Sequence, residues 1–598
     1  MAELKKYSVK QLEALARRLR GQLVAAAEKS GGHLSSNLGA VELILALHKV
    51  FDFPQDKLVF DVGHQAYAHK LLTGRSLDAL RAKGGVSGFP DPAESEFDAF
   101  IAGHSGNSLA AGIGLCNARD LAGSKEKVVC LIGDASLGNG LALEAVFSAE
   151  EKPENFVVVL NDNGMAIDKN RTAYRAISRM TAKKRYRTFN SRLAKTFKET
   201  GAFGRVLRRF KYSLKGWLNK NDFFDRCGFK YVGPVNGHDL HELVDVLTDI
   251  KKLKEPVLLH AVTQKGRGYA PAEADPARYH GVGKNFAQTP HTFSAALGGI
   301  LCGEAEKDEK LVCVTAAMAD GVGLSDFAAK FPARFFDVGI CEEYAVTMAA
   351  GMAKGGMRPV VCQYSTFFER ALDEVLHDVC LQNLPVLFCI DRAGFVGADG
   401  KTHQGLYDLA ALRAMPNLRI FAPKDAAELA ELFAYARTLN APAVLRYPNG
   451  EAPPLGGNTP IAQSLWEVLA EGSGAVVLAC GARAVRRALE TRAMEGCGDT
   501  QVVNCRSIAP LDGEMLASIA GRRIVCFEEN ALAGGFGSAV AEWYAARGIP
   551  VQMKLLGAPA AVVPHMTAEE QAEEAGLTAA ALARELRALR KNTEDTHG

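Results

Sequence analysis

Short apolar runs rich in β-branched residues recur along the chain, and each leads into a polar corner and then a helical pattern. Continuous apolar runs of this length are typical of parallel strands that are covered by helices on both faces. Alternation of strand and helix favours α/β layers, whose functional groups gather at the carboxyl ends of the strands. We expect strands at 128–132, 156–160, 257–262, 311–314, 360–363, 386–390, 475–478 and 524–527.

The chain is too long for one hydrophobic core, because its 598 residues exceed the usual size of a single domain several times over. Two stretches rich in Gly, Pro and Ala, at 268–290 and 449–460, have the composition of linkers. We therefore predict an α/β protein of three domains, each a mainly parallel sheet flanked by helices. The predicted boundaries are 1–289, 290–455 and 456–598.

Cysteine usage and the lack of long apolar stretches indicate where such a chain works. The 13 cysteines are scattered, and they form neither CxxC pairs nor clusters with zinc spacing. Reduced, buried thiols are the expected state, which favours the cytoplasm. The first residues lack the apolar core of a signal peptide, and no run reaches the length of a membrane span. We expect a cytoplasmic protein without a membrane partner.

One segment is strongly basic. Between 169 and 220 there are 17 Lys and Arg residues and one acidic residue, Glu199. Clustered positive charge can bind phosphate backbones, so a nucleic-acid surface is one interpretation. The other is a solvated insertion, which we favour because no recognised nucleic-acid module accompanies the charge. We expect no nucleic-acid partner.

Two polar corners in the first predicted domain offer oxygen ligands for a metal. Asp134 follows the run 128–132, and Asn163 follows the run 156–160. One carboxylate and one amide suit Mg²⁺, which completes its octahedral shell from water and phosphates. Ala135 and Ser136 then place backbone N–H groups at a predicted turn, where anions are favoured. A Gly-Asp corner by itself is most often a structural turn, whereas the pair is more specific.

Three further segments of this domain combine His with Gly and Ser, and they contain His33, His64 and His104. A single such histidine is usually a loop residue or a helix cap. Three of them near a predicted phosphate and metal corner instead suggest groups that donate hydrogen bonds or carry protons. Their spacing is not that of metal ligands.

In the second predicted domain, an apolar strand leads to Glu342. A carboxyl group sheltered there would have a raised pKa and could share a proton with a ring nitrogen. The alternative is an acidic residue that stabilises the first turn of a helix. Beyond it lies the Gly-rich loop 391–405, which carries Arg392, Asp399 and His403. Charged loops of this kind more often bind or catalyse than pack.

At this point the residues resemble a known family. The matching segments are SGGHLSSNLGAVEL, DVGHQAYAHKLLTGR, FKYVGPVNGHD, YSTFFERALDE and DRAGFVGADGKTHQG. They are similar to those of 1-deoxy-D-xylulose-5-phosphate synthases, relatives of transketolase. The resemblance implies a transketolase-like homodimer with diphosphate-binding, pyrimidine-binding and C-terminal domains. It also implies thiamine diphosphate and Mg²⁺ as cofactors. The implied reaction decarboxylates pyruvate and joins the remainder to D-glyceraldehyde 3-phosphate, for isoprenoid and thiamine biosynthesis.

The resemblance assigns roles residue by residue. The metal ligands would be Asp134, Asn163 and the carbonyl of Met165. The contacts to thiamine diphosphate would be His64, Gly103, His104, Ser105, Ala135, Ser136, Asn163, Ile167, Lys265, Tyr269, Glu342 and Phe367. Proton transfer would involve Glu342, His33, His280, His403 and Asp399. The substrate would contact Arg81, Tyr364, Arg370, Arg392, Asp399 and His403.

Several positions depart from the family pattern. The segment GHSST reads Gly103-His104-Ser105-Gly106-Asn107, and Glu-Gln-His reads Glu342-Glu343-Tyr344. The sharpest change is Asn449, where the family has an arginine expected to bind the acceptor phosphate, since Asn lacks the charge of a guanidinium. Two alternatives therefore stay open: a transketolase-like enzyme with a different acceptor, and a non-catalytic paralogue that only binds the cofactor.

Overall fold

The computed structural model describes residues 3–148, 152–164, 223–286, 292–457 and 459–594. The chain divides into two compact units. The first unit consists of Met1–Leu80 and Gly85–Ala287, and the second of Arg81–Gly84 and Gln288–Gly598. The basic segment 169–220, Met165 and Ile167 lie outside the described residues.

The first unit contains a five-stranded sheet in the order β1-β2-β3-β5-β4, and all neighbouring strands are parallel. Alternate residues of its central strands enter two different apolar clusters, one on each face. Each buried Val or Leu contributes about 1.5–3 kcal/mol, so both faces stabilise the sheet. The strands are β1 (Lys57–Phe60), β2 (Val128–Gly133), β3 (Phe156–Asp162), β4 (Lys230–Asn236) and β5 (Val257–Val262).

Helices cover both faces of this sheet, and their starts are marked by capping side chains. Ser8 and Gln11 form a reciprocal capping box at the first long helix, and Asp239 caps the helix before β5. The α-helices are Val9–Ser30, Ser35–Val50, Tyr67–Leu72, Ser108–Leu121, Asp134–Leu137, Gly140–Phe147, Phe223–Arg226, Leu240–Lys252 and Ala270–Ala274. Short 3₁₀ turns occur at Leu4–Lys6 and Lys284–Phe286.

The second unit contains two sheets. The larger has seven strands in the order β15-β10-β11-β9-β8-β6-β7, and only its edge pair β10–β15 is antiparallel. Its strands are β6 (Leu311–Thr315), β7 (Phe335–Asp337), β8 (Arg358–Tyr364), β9 (Leu387–Asp391), β10 (Arg419–Phe421), β11 (Ala443–Arg446) and β15 (Ser507–Ala509). The helices around it include Phe293–Lys307, Ser325–Lys330, Glu342–Lys354, Ser365–Phe368, Leu372–Glu374, Asp408–Leu412 and Ala426–Thr438, with 3₁₀ turns at Pro332–Arg334, Glu369–Ala371 and Gly397–Thr402 and a π-helical turn at Val375–Cys380.

The smaller sheet of the second unit has five strands in the order β12-β14-β13-β16-β17, and β12 alone runs antiparallel to its neighbour. Its strands are β12 (Glu467–Ala470), β13 (Val476–Cys480), β14 (Gln501–Asn504), β16 (Arg523–Ala531) and β17 (Gln552–Ala558). The helices are Ala482–Arg492, Gly513–Ser518, Phe536–Ala545, Ala568–Glu574 and Ala579–Glu594.

The α/β prediction is confirmed: all three sheets are mainly parallel and flanked by helices. Each of the eight predicted runs overlaps a strand, namely β2, β3, β5, β6, β8, β9, β13 and β16. All 13 cysteines are free, and most are buried, as expected from their apolar surroundings. Across the described ranges, no helix has the length and apolar character needed to cross a membrane.

Candidate active site

The carboxyl ends of β2 and β3 bring the two predicted metal ligands to one edge of the first sheet. Asp134 directly follows β2 and Asn163 directly follows β3, and these strands are parallel neighbours with Gly133 opposite Asn161. The Gly164 N–H donates to Asp134 Oδ2 and to Asp162 Oδ1, at 3.1 Å in each case. The prediction that the two polar corners meet is therefore correct in geometry.

The electrostatics of this corner are those of a buried acidic site. Burial, and secondarily the negative charge of Asp162, raises the pKa of Asp134 to about 7, while Lys265 acts in the opposite direction. Asp162 is engaged by His260, whose Nε2 lies 2.9 Å from Oδ2. Within the described residues, no group of three or more His, Cys, Asp or Glu side chains is placed to hold a metal. The predicted ligand set contains only one such side chain.

Three predicted histidines form a cluster in the same unit. The ring centroids of His33, His64 and His280 lie 5.2–5.4 Å from one another, and Phe89 packs 5.6 Å from His33. Burial lowers the pKa of His280 well below its ordinary value, and the charges of Lys265, His64 and His33 lower it further. His280 is therefore neutral at physiological pH, so its ring can accept a hydrogen bond as well as donate one.

A residue without a predicted role, Asn37, links the loops that carry two of these histidines. Asn37 is fully buried, and its Nδ2 donates to the carbonyls of His33 and His64, at 2.6 Å each. Its Oδ1 accepts from the N–H of Tyr67 at 2.8 Å. One amide thus joins two chain segments, 33–37 and 64–67. The sequence contains Asn37 in a recognised segment, but it does not reveal these partners.

A second residue without a predicted role, Asp61, holds the loop of Gly103, His104 and Ser105. Its carboxylate accepts from the N–H of Gly106 at 2.9 Å and from the N–H of Ser108 at 3.1 Å. Burial raises the pKa of Asp61, and these hydrogen bonds counteract the rise.

The unusual Gly106 also has a structural reason. It adopts a φ of 87°, and a Cβ atom there would lie 2.2 Å from Asn139 Oδ1. Because a side chain does not fit beside Asn139, this chain accommodates glycine where the family has serine. The loop backbone is preserved by Asp61 although the hydroxyl is absent.

The remaining predicted contacts of the first unit lie on elements around the same sheet. Ala135 and Ser136 belong to the short helix after β2, and Ser136 is buried. Lys265 is buried after β5, close enough to Asp134 for their charges to interact. Tyr269 precedes the helix Ala270–Ala274, and its ring packs 5.9 Å from that of Tyr279.

In the second unit, Glu342 is the first residue of the helix Glu342–Lys354 and is 2% exposed. Burial raises its pKa to about 7, although the guanidinium of Arg370 lies 3.9 Å from Oε2 and opposes the rise. Among the described residues, Oε2 has no hydrogen-bond partner. A buried polar atom of this kind needs a partner, because leaving it unsatisfied costs about 1–3 kcal/mol.

Three aromatic rings and a guanidinium pack against one another at the carboxyl end of β8. The Tyr364 ring lies 5.8 Å from that of Phe367, which in turn lies 5.5 Å from His403. The guanidinium carbon of Arg392 is 3.6 Å from the centroid of Tyr364, and Nη1 donates to the carbonyl of Gly321 at 3.1 Å. The structure thus brings together four of the predicted residues of this unit.

The loop 391–405 carries Asp399 against Arg81, which belongs to the short segment Arg81–Gly84 of the second unit. Arg81 forms an ion pair with the Asp399 carboxylate, and its Nε donates to the carbonyl of Ala398 at 3.3 Å. Burial lowers the pKa of His403, which outweighs the opposite influence of Asp399. Its Nδ1 lies 2.9 Å from the hydroxyl of Thr402.

Two departures from the family pattern lie at the surface of this unit. Tyr344 is 57% exposed, so its side chain does not belong to the buried surroundings of Glu342. Asn449 is also exposed, and its carbonyl accepts from Nη2 of Arg483 at 2.8 Å. Arg483 is paired with Glu529 at 3.1 Å. A guanidinium therefore lies beside position 449, although it comes from another part of the chain and is already neutralised.

Three family models match most of the chain. A family model described as 1-deoxy-D-xylulose-5-phosphate synthase matches residues 1–263. The pyrimidine-binding and C-terminal domain models of transketolase match 290–454 and 465–582. Among solved structures, transketolase from Leishmania mexicana is 16% identical, with a TM-score of 0.45 and 98% of each chain covered.

Curated relatives named 1-deoxy-D-xylulose-5-phosphate synthase are considerably more similar. The protein from Syntrophomonas wolfei is 44% identical over 94% of this chain and 91% of its own length. One from Thermus thermophilus is 43% identical over 98% and 97%, respectively. A relative numbered 1 from Geobacter sulfurreducens is 44% identical over 97% and 95%. The chain therefore belongs to the 1-deoxy-D-xylulose-5-phosphate synthase family of transketolase-like, thiamine diphosphate-dependent transferases.

Proposed function

We propose that this chain converts pyruvate and D-glyceraldehyde 3-phosphate into 1-deoxy-D-xylulose 5-phosphate and CO₂, with thiamine diphosphate and Mg²⁺ bound by the residues described above. The observation that carries the proposal is the environment of the Glu342 carboxyl group. Its carboxyl group is buried, has a pKa raised to about 7, and has one oxygen without a hydrogen-bond partner among the described residues. A protonated carboxyl at that position suits a ring nitrogen of the pyrimidine.

The second unit fits the pyrimidine half of the cofactor in a further respect. Phe367 and Tyr364 offer aromatic faces in the segment that follows β8. An aromatic ring packs favourably against another, which supports the assignment of Phe367 as the residue that contacts the pyrimidine. Glu342 would hold the proton that this ring needs, and Arg370 would keep the carboxyl group oriented.

The first unit fits a magnesium diphosphate. Asp134 is a buried carboxylate with a second carboxylate, Asp162, close by, and a divalent cation would offset that concentration of negative charge. Asp134, Asn163 and the carbonyl of Met165 would bind the ion. Lys265 and the backbone of Gly103, His104 and Ser105 would hold the diphosphate, together with Ala135 and Ser136.

The chemistry divides between the cofactor and the chain. When bound, thiamine diphosphate supplies the carbon nucleophile and the electron sink that decarboxylation of a 2-keto acid requires. The neutral His280, with His33 and His64 in ring contact, would accept and return protons at the substrate. We assign His64 to the cofactor and His33 and His280 to proton transfer.

The acceptor aldehyde would be held by residues of the second unit. Arg392 is fixed over the Tyr364 ring and would present its remaining N–H groups to the phosphate. His403, whose pKa is lowered, would donate and accept protons as a neutral imidazole, with Asp399 and Arg81 orienting the loop. Arg81 is committed to Asp399, so we propose that it supports the acceptor site through that carboxylate.

A second candidate, a different acceptor, is favoured by one observation. Asn449 leaves the site without the second arginine of the family, and the nearby Arg483 is paired with Glu529. The retained Glu342 argues against a non-catalytic paralogue that only binds the cofactor, because the role proposed for this carboxyl group is proton transfer.

We further propose three domains, at 1–289, 290–455 and 456–598, and the proposal is supported by three separate model matches, at 1–263, 290–454 and 465–582. A homodimer is proposed from the family pattern. The thirteen free cysteines support a reducing compartment, and we propose the cytoplasm on that ground.

The test is to incubate the purified chain with thiamine diphosphate, Mg²⁺, pyruvate and one aldehyde at a time, and to identify the product by mass spectrometry. We expect 1-deoxy-D-xylulose 5-phosphate from D-glyceraldehyde 3-phosphate, with a higher kcat/KM than from unphosphorylated D-glyceraldehyde. Product formation that is faster with the unphosphorylated aldehyde would instead support the altered acceptor. No product with either aldehyde, despite tight cofactor binding, would support the paralogue.

A further inference from the structure

The loop 391–405 is held by a segment near the C-terminus, residues 563–571, which we call the C-terminal clasp. Gln571 of the clasp is 1% exposed. Its Oε1 accepts from the N–H of Gly397 at 2.9 Å, and its Nε2 donates to the carbonyl of the same residue at 3.0 Å. The Nε2 also donates to the carbonyl of Pro564 at 2.8 Å. One side-chain amide therefore satisfies both polar groups of a buried glycine.

Two glycines of the loop have backbone conformations and close contacts that favour packing against the clasp. Gly397 has a φ of 75°, and a Cβ atom there would lie 3.1 Å from the backbone nitrogen of Ala568. Gly400 has a φ of 70°, and a Cβ atom there would lie 2.8 Å from the Cβ of His565. Both residues adopt a left-handed backbone that glycine alone adopts at little cost, and both lie against the clasp. These two glycines therefore serve packing against the clasp.

The charged residues of the same loop are the ones assigned to the acceptor. Asp399 lies two positions after Gly397, and Arg392 and His403 lie at the two ends of the loop. Gly397 directly precedes Ala398 and Asp399, which both contact Arg81, so a shift of the backbone at Gly397 is expected to disturb those contacts. The contact between Gly397 and the clasp therefore also holds the backbone of Asp399 in position, and with it the ion pair to Arg81.

We propose that Gln571 is a positioning residue for the acceptor, which acts through Gly397 on the loop 391–405 without touching the substrate. This inference rests on the proposed function for its kinetic consequence, but not for the contact itself. Only an amide provides both a donor and an acceptor at this length, since a carboxylate lacks the donor and methionine lacks both. The clasp thus couples the C-terminal part of the second unit to the choice of acceptor.

The experiment compares Gln571→Met, Gln571→Glu and the exposed control Gln463→Met. Hydrogen–deuterium exchange of peptides covering 393–405 is measured first, without cofactor or substrate. Each lost hydrogen bond changes a local opening equilibrium roughly fivefold. Gln571→Met loses both hydrogen bonds to Gly397, so we expect exchange about 25-fold faster in this variant. We expect a change of about fivefold in Gln571→Glu, which keeps the acceptor for Gly397, and none in Gln463→Met.

Steady-state kinetics of the holoenzyme then test the consequence. We expect Gln571→Met to raise the KM for D-glyceraldehyde 3-phosphate about tenfold, while the KM for pyruvate and the cofactor Kd change less than twofold. Wild-type exchange and wild-type KM in Gln571→Met would overturn the proposal. A similar rise in both KM values and in the cofactor Kd would also overturn it, because that pattern indicates general destabilisation.

The two arms also separate this inference from the proposed function. If the wild-type chain forms no product, the proposed function fails, and the exchange measurement still decides whether the clasp holds the loop. If Gln571→Met does not fold, Gln571→Glu, which retains the shape of the side chain, supplies the same two readouts.

Discussion

Each unit contributes to the candidate site one carboxyl group whose pKa is raised to about 7, and the causes of the rise differ between Asp134 and Glu342. Asp134 is buried near a second carboxylate, so its surroundings carry an excess of negative charge. Glu342 is buried near a cation, Arg370, and has an oxygen without a hydrogen-bond partner among the described residues. The surroundings of Asp134 would be stabilised by a bound cation, and those of Glu342 by a hydrogen-bond donor or acceptor. An equal pKa therefore does not indicate an equal role.

The comparison predicts the largest effect for Glu342→Gln. The amide keeps the shape but cannot give up or share a proton, and loss of a positioned acid or base costs about 10²–10⁴ in rate. We expect kcat to fall by that factor in a steady-state assay of product formation, while the cofactor Kd changes little. Glu343→Gln, which alters the neighbouring and more exposed carboxyl, is the matched control and is expected to retain nearly full activity.

Asp134→Asn is expected to act on binding instead. Removing the carboxylate weakens the metal and therefore the diphosphate, and we expect the apparent Kd of thiamine diphosphate at fixed Mg²⁺ to rise about 10–100-fold, the range of damaged metal sites. Calorimetric titration measures it, and a tenfold higher Mg²⁺ concentration is expected to restore part of the affinity. Wild-type affinity in this variant would remove Asp134 from the metal site.

The pH dependence of stability distinguishes Glu342 in the protein without cofactor. Its pKa is raised from 4.5 to about 7 in the folded state. Between these values the unfolded carboxyl is ionised while the folded one stays protonated, so the wild type loses stability as pH rises and loses no more above 7. Glu342→Gln does not titrate at this position. Between pH 4.5 and 7.5 we therefore expect the free energy of unfolding of the wild type to fall by about 1–3 kcal/mol relative to that of the variant. If the thermal midpoints of the wild type and Glu342→Gln shift by the same amount between the two pH values, this expectation is contradicted.

The smallest expected effect concerns the acceptor. Asn449→Arg restores the charge expected from the family, and a charge-assisted bond to phosphate contributes about 1.5–3 kcal/mol where it forms, less at an exposed position such as this one. We expect the KM for D-glyceraldehyde 3-phosphate to fall three- to tenfold, with no change for unphosphorylated D-glyceraldehyde. An equal change for both aldehydes would show that the phosphate does not reach position 449.

The strands that the sequence predicted lie in the interior of their sheets. β2, β3 and β5 are the three middle strands of the first sheet. Because helices cover both faces of the sheet there, their apolar runs are continuous. Strands without such a pattern were missed, for example β4, which contains Gly233 and Pro234 at an edge, and β17, whose residues are mostly half-exposed. An edge strand is partly solvated, and its sequence therefore resembles that of a loop.

The site divides in the same way. The meeting of Asp134 and Asn163 could be predicted because each directly follows a buried strand, and the carboxyl ends of neighbouring parallel strands lie at one edge of the sheet. Glu342 instead begins a helix five residues after the edge strand β7, which fits the helix-start alternative that the sequence also allowed. Asn37, Asp61 and Gln571 could not be assigned a role from sequence, because each acts on backbone groups distant along the chain. Gln571 and Gly397 are 174 residues apart. A buried amide bonded to a carbonyl leaves no pattern in a single sequence.

The most direct test of the comparison measures cofactor binding and exchange of the C2 hydrogen of thiamine diphosphate in the same samples. Deuterium exchange is followed by NMR for the wild type, Asp134→Asn and Glu342→Gln at one Mg²⁺ concentration. We predict that Glu342→Gln binds the cofactor within threefold of the wild type but exchanges at least 100-fold more slowly. We also predict that Asp134→Asn binds the cofactor about 10–100-fold more weakly at that Mg²⁺ concentration and exchanges normally once saturated. Wild-type exchange in Glu342→Gln would contradict the assignment of the two carboxyl groups.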